Sequence, residues 1–170
     1  MAKGNLIHKL FASGPLFLLY YLSVSEVDTN LEKLFEIFSL NLQIIIIYFW
    51  IIKRPSMMGP GHIFFAGRIN DVVMGFPLGI SSLSYLVVCF VGNYVRNKSV
   101  NTTIASDWVT FLIALLLANL VFFSLLNNFS DVAISYSKIG YNTFFTLFLF
   151  PVFWLLFNLY QMSFIGSSDA

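Results

Sequence analysis

Residues 67–79 read GRINDVVMGFPLG, and their reading decides how the rest of the chain is laid out. Arg68, Asn70 and Asp71 fall there within a chain of 170 residues that is 58% hydrophobic and only 10% charged, with a mean hydropathy of +0.83. A soluble domain keeps about a quarter of its residues charged. This chain lacks the polar groups to cover its own surface, so composition predicts a single all-α integral membrane domain over residues 1–170. Gly75, Pro77 and Gly79 close the stretch as a tight turn, because proline fixes one backbone angle and glycine admits positive φ. The segment thus becomes one arm of a hairpin.

Working outward, a spanning helix needs roughly 20 mostly apolar residues. Residues 34–52, 77–95, 107–127 and 141–165 meet that readily. Residues 6–25 and 59–76 meet it less fully, the first carrying His8, Lys9 and Pro15, the second the polar residues above. Six transmembrane helices are expected. Lys and Arg in short loops favour the cytoplasm. With both termini inside, Lys3, Lys9, Lys53, Arg54, Arg96 and Lys98 are cytoplasmic, while Lys33 and Lys138 lie outside with Glu26, Asp28 and Glu32. That bias requires segment 59–76 to cross. Trp50, Tyr94 and Trp108 are expected near the cytoplasmic interface and Tyr141 near the outer one. Trp154, next to Pro151, reads as a packing residue. The first segment also resembles a signal peptide, ending in Ser23-Val24-Ser25, but its bulky apolar run favours a retained span.

Charges at membrane depth are costly and usually pair or face protein or water. Arg68 and Asp71 share one helical face by their spacing, so the simplest expectation is a self-neutralising pair, with Asn70 beside it, that fixes helix register. Two other readings stay open: a docking surface for another protein's helix, and a substrate or proton site. Gly67 offers close approach to a neighbouring helix. Gly75, Gly79, Ser81, Ser82 and Ser84 offer a small-residue surface on which a partner helix is expected to pack. Asn41, Gln43, Asn119, Asn158 and Gln161 read either as cavity lining or as interhelical hydrogen bonds.

Other functions find little support. A net charge of +1 with no basic cluster gives no nucleic-acid surface. Cys89 stands alone, and His8 and His62 are too few for a zinc site, so neither a metal nor a cofactor is expected. No Ser–His–Asp set, HExxH or paired carboxylates suggest an enzyme.

The run Arg54-Pro55, an apolar stretch, then Gly67-x-x-x-Asp71-x-x-x-Gly75-x-Pro77-Leu78-Gly79 before an apolar span resembles the MreD family of bacterial rod shape-determining membrane proteins. The specific part covers residues 54–95; Arg68 departs from the pattern, where an apolar or small residue is expected. The resemblance implies a fold similar to the S components of energy-coupling-factor transporters. It also implies a non-enzymatic scaffold of the cell-wall elongation complex in the bacterial cytoplasmic (inner) membrane. Its expected partner is an MreC-like bitopic protein, and through it an MreB-like filament, a RodA-like glycosyltransferase and a penicillin-binding transpeptidase. A small-molecule-binding transporter subunit is the alternative.

Overall fold

The computed structural model describes residues 13–25, 32–98, 103–129 and 136–165, with backbone alone for residues 32–41, 136–139, 164 and 165. These residues form α1 (Gly14–Val24), α2 (Glu32–Lys53), α3 (Pro60–Val73), α4 (Ile80–Lys98), α5 (Ile104–Phe129) and α6 (Tyr136–Tyr160). A π-helical turn, Gln161–Ile165, continues α6. No strand occurs among the described residues. One helix falls on each expected segment, although residues 6–12 of the first, with His8 and Lys9, lie outside the described residues, as do Lys3, Glu26 and Asp28. The third is the shortest departure: α3 has 14 residues where an 18-residue segment was expected, because Gly75 ends it early.

The sequence QIIIIYFWII explains the architecture. It has no polar face, so it cannot be an amphipathic surface helix and must be surrounded. Residues Gln43 to Ile52 of α2 are at most 8% exposed. Helices α1, α4 and α6 pack directly along α2. The remaining two reach it through side chains: Asn70 of α3 bonds Gln43, and Phe111 of α5 lies 5.2 Å, ring to ring, from Tyr48. Around this central helix the others follow one another in contact in the order α1, α3, α4, α5, α6. Phe111 and Phe150 stack at 4.1 Å with Tyr48 against both.

Trp50 is corrected from an interfacial anchor to a core residue. It is 1% exposed and its ring lies edge-on to Phe49 and Tyr160. Its place on the surrounded helix leaves no face for an interface. Trp108, 41% exposed, has a more specific task. Pro151 stands inside α6 and has no N–H, so the carbonyl one turn earlier, on Leu147, loses its helical donor. The Trp108 indole Nε1–H donates to that carbonyl at 2.9 Å. A side chain of α5 thereby completes the backbone bonding of α6.

Two helices, Ile104–Phe129 and Gly140–Ser163, are long and apolar enough to cross a membrane, and only 33% and 11% of their most apolar stretch is buried. The core helix of a water-soluble protein would be mostly buried. These instead expose Ile113, Leu116 and Leu120, and Phe144, Phe148 and Leu155.

Trp108→Phe should cost about 1–3 kcal/mol by leaving the Leu147 carbonyl unpaired. Adding Pro151→Ala should recover most of that, since alanine restores the missing donor. Unfolding of the detergent-solubilised variants reads both; a Trp108→Phe penalty untouched by Pro151→Ala would refute the assignment.

Candidate functional site

Residues 67–79 join α3 to α4 in a hairpin held by backbone and side-chain bonds. α3 ends in a Schellman motif: Gly75, at φ +67°, follows the helix, Phe76 N–H donates to the Asp71 carbonyl at 2.8 Å, and Gly75 N–H to the Val72 carbonyl at 3.4 Å. Phe76 then packs edge-on against Phe122 of α5, 5.5 Å between ring centres. The chain turns through Pro77, whose carbonyl accepts Ile80 N–H, and Gly79, at φ +108°, whose carbonyl accepts Leu83 N–H at 2.9 Å. Gly79 therefore stands at the N-cap of α4, a position where Ser, Thr, Asp or Asn usually supplies a capping oxygen. Glycine has none to give.

Asp71 supplies it from the preceding helix. Its Oδ2 accepts Gly79 N–H and its Oδ1 accepts Ser81 N–H, each at 2.8 Å. The carboxylate is 0% exposed and faces the positive end of the α4 dipole, where an anion is stabilised. Two backbone donors and a helix dipole neutralise it, and no cation is needed.

Arg68 is accordingly elsewhere, and the expected Arg68–Asp71 pair is corrected. Arg68 is exposed, and its guanidinium lies 5.8 Å from the centre of the Phe64 ring. Asp107, not Asp71, is the aspartate that approaches a cation, its Oδ2 lying 3.9 Å from Lys53 Nζ. Neighbourhood on one helix face brings two side chains within reach, but Asp71 points inward to α4 while Arg68 points out. Asn70, also buried, takes part in a separate network.

The small residues serve the hairpin itself. A Cβ on Gly67 would lie 2.5 Å from Ser82 Cα, so α3 and α4 touch backbone to backbone there. The Ser82 hydroxyl donates to the Phe64 carbonyl at 3.1 Å, and Ser81, Ser82 and Ser84 are all buried. The expectation that a partner packs on this serine surface with Gly67 is corrected: the intramolecular contact occupies it. Gly75, Pro77 and Gly79 remain at the turn, where Gly75 is exposed.

Two interior polar clusters went unrecognised in the sequence. In one, Gln43 Nε2 donates to Ser23 Oγ and Asn70 Oδ1, both at 3.3 Å, and Asn70 Nδ2 donates to Ser81 Oγ at 3.1 Å. The Tyr85 hydroxyl donates to Gln43 Oε1. Four helices, α1 to α4, meet in it. Of the two meanings open for Gln43, the geometry gives interhelical bonding, and Asn119 likewise donates to Thr143 of α6 at 2.8 Å. In the second cluster, Asp107 Oδ2 lies 3.9 Å from Lys53 Nζ and accepts the Trp154 indole N–H at 3.1 Å. Lys53 also sits 5.3 Å from the Trp154 ring centre. The signal for this cluster was an aspartate placed just inside an apolar helix, with a lysine closing another.

No three His, Cys, Asp or Glu side chains converge as metal ligands among the described residues. His62 instead meets the Tyr20 hydroxyl at 3.1 Å, tying α3 to α1. No family model, curated protein or solved structure matches the chain.

Gly67→Ala should destabilise the protein by about 1–3 kcal/mol, because its methyl meets backbone. Gly92→Ala should cost less, since it meets only the Ile51 methyl at 2.9 Å. Asp71→Leu should cost about 1–3 kcal/mol for each amide it orphans. Adding Arg68→Leu should give no recovery beyond about 0.5 kcal/mol. A double variant clearly more stable than Asp71→Leu alone would restore the ion-pair reading.

Proposed function

We propose that this chain is a non-enzymatic, multi-pass scaffold subunit of the bacterial cytoplasmic membrane, acting as an MreD-like component of the cell-wall elongation complex. The observation that carries the scaffold reading is how the interior polar groups are used. Both oxygens of Asp71, both polar atoms of Asn70 and of Gln43, and the Ser81 and Tyr85 hydroxyls are engaged with protein. A ligand pocket keeps a few convergent polar groups for its guest; this cluster uses them to fix helix against helix.

The hairpin also suits a crossing at α3. Fourteen residues make a helix about 21 Å long, short of a hydrocarbon core of about 30 Å. A crossing there puts the turn at residues 74–79 partly at membrane depth. Irregular backbone is tolerated at that depth only where protein satisfies its polar groups. The Schellman bonds and the Asp71 carboxylate satisfy the N–H groups of Gly75, Phe76, Gly79 and Ser81 in this way. The apolar outer faces of α5 and α6 suit lipid, and the short connection between α3 and α4 leaves recognition to the spans and the membrane surfaces. The pattern of residues 54–79 supplies the family, and with it the MreC-like bitopic partner.

Co-purification from detergent tests the proposal. The wild-type protein should retain an MreC-like single-span protein through two affinity steps, and depletion of the chain from its host should round the cells. A well-folded protein that retains no such partner would sink the scaffold reading. Thermal unfolding against a vitamin panel addresses the transporter alternative, since a ligand at 100 times its dissociation constant adds about 2.7 kcal/mol. No shift is expected.

A further inference from the structure

We infer that the outward face of α3 seats one membrane-spanning helix from a different polypeptide, and that this helix carries a carboxylate at the level of Arg68. The inference rests on the proposed crossing of α3.

The face is a regular stripe. Gly61, Phe65, Arg68 and Val72 recur at intervals of four, three and four residues, and all are exposed, Phe65 by 59% and Val72 by 67%. Intervals of three and four residues keep these positions on one face of the helix, where a partner helix can lie along them. Gly61 at the start of the stripe lets a second backbone come close, and the large side chains after it supply knobs. The opposite side of α3, with Ile63, Ala66, Gly67, Asn70 and Asp71, is already buried in the protein.

Charge selects the occupant. Arg68 is the one cation on this stripe, and its described contact is the Phe64 ring. Asp71, the nearest acid in sequence, has both oxygens bound to backbone amides of α4. In a bilayer an ionised side chain faces protein or water and is paired, so the stripe is complete only when its occupant brings an anion.

A second copy of this chain does not offer one among its described side chains, because Asp71 and Asp107 are 0% and 1% exposed and engaged internally. A lipid headgroup is disfavoured by direction. Arg68 lies about 7.5 Å along the axis from the Val73 end of α3 and about 12 Å from the Pro60 end. Its guanidinium leans back over Phe64, away from the nearer end, as helical side chains lean toward their N-terminus. It lies along α3 itself, toward the more distant end of the helix.

The test is site-specific photocrosslinking of the full chain in its native membrane. A benzophenone amino acid replaces Phe65 or Val72, and in controls Phe90 or Phe148, exposed by 73% and 68% on α4 and α6. Phe65 and Val72 should both give an adduct with one polypeptide whose span contains Asp or Glu, at least tenfold above the controls. Arg68→Glu and Arg68→Gln should each lower the yield at least tenfold, and Arg68→Lys should keep most of it. Changing the captured span's acid to lysine should restore the adduct in the Arg68→Glu protein. Adducts with lipid alone, with a second copy, or with a span lacking an acid would overturn the inference, as would yields indifferent to Arg68.

The crossing is tested separately. In a Cys89→Ser background, Arg68→Cys should resist impermeant maleimides from both sides of the membrane. Labelling from either side would remove the crossing itself. Protection without the expected adduct would overturn the partner helix and leave the crossing standing.

Discussion

The Asp71 carboxylate, received by two backbone amides at the start of α4, is the constraint on which the hairpin depends. A chain that reverses direction at Gly75 and Gly79 gains a tight turn but gives up the side chain that would cap the next helix. An oxygen must then come from elsewhere, and the residue that provides it sits where the Schellman motif also recruits its backbone carbonyl. Asp71 thus ends one helix with its main chain and begins the next with its side chain. The register of α3 against α4 follows, because two short bonds leave no freedom to slide. The close approach of Gly67 to Ser82 is the packing consequence of that register.

The central helix is held by a different arrangement with the same logic. α2 is apolar over most of its buried length, and apolar contact alone does not choose between one axial position and another. Its polar residues lie at the ends of that length: Gln43 bonds α1, α3 and α4, while Lys53 meets Asp107 and the Trp154 ring. Ten residues apart on one helix, they are separated by about 15 Å. Directional contacts at both ends fix what hydrophobic packing leaves loose. In lipid such polar contacts matter particularly, because no hydrophobic effect distinguishes one apolar neighbour from another.

The helical segments, the turn at Gly75 to Gly79 and the close approach at Gly67 were legible in the sequence because each is a local property. Apolar run length marks a helix, and positive φ marks glycine. What was not legible has one cause. Asp71 bonds backbone donors, and a backbone donor looks the same at every residue, so side-chain bookkeeping matched it to the nearest cation. The bond made by Trp108 is hidden for the same reason: its partner is a carbonyl orphaned by a proline far along the chain. Lys53 and Asp107 are opposite charges, but only the fold reveals which of the few charges meet. Gln43 had the right set of possible roles, and choosing among them required knowing that its helix lies at the centre.

Arg68 and Asp71 now stand as opposites. The aspartate is buried and needs no counterion, since fixed dipoles already meet its charge. The arginine is exposed on an apolar stripe and has only the edge of its charge met by an aromatic ring. If the two had neutralised each other, the hairpin would be electrically closed and α3 could face lipid with nothing to select a neighbour. Because the backbone takes the aspartate, the arginine is left as the distinguishing mark of that face. The proposed scaffold role uses both properties together: a four-helix polar cluster that fixes the shape, and a charged group on the outside by which that shape can be recognised.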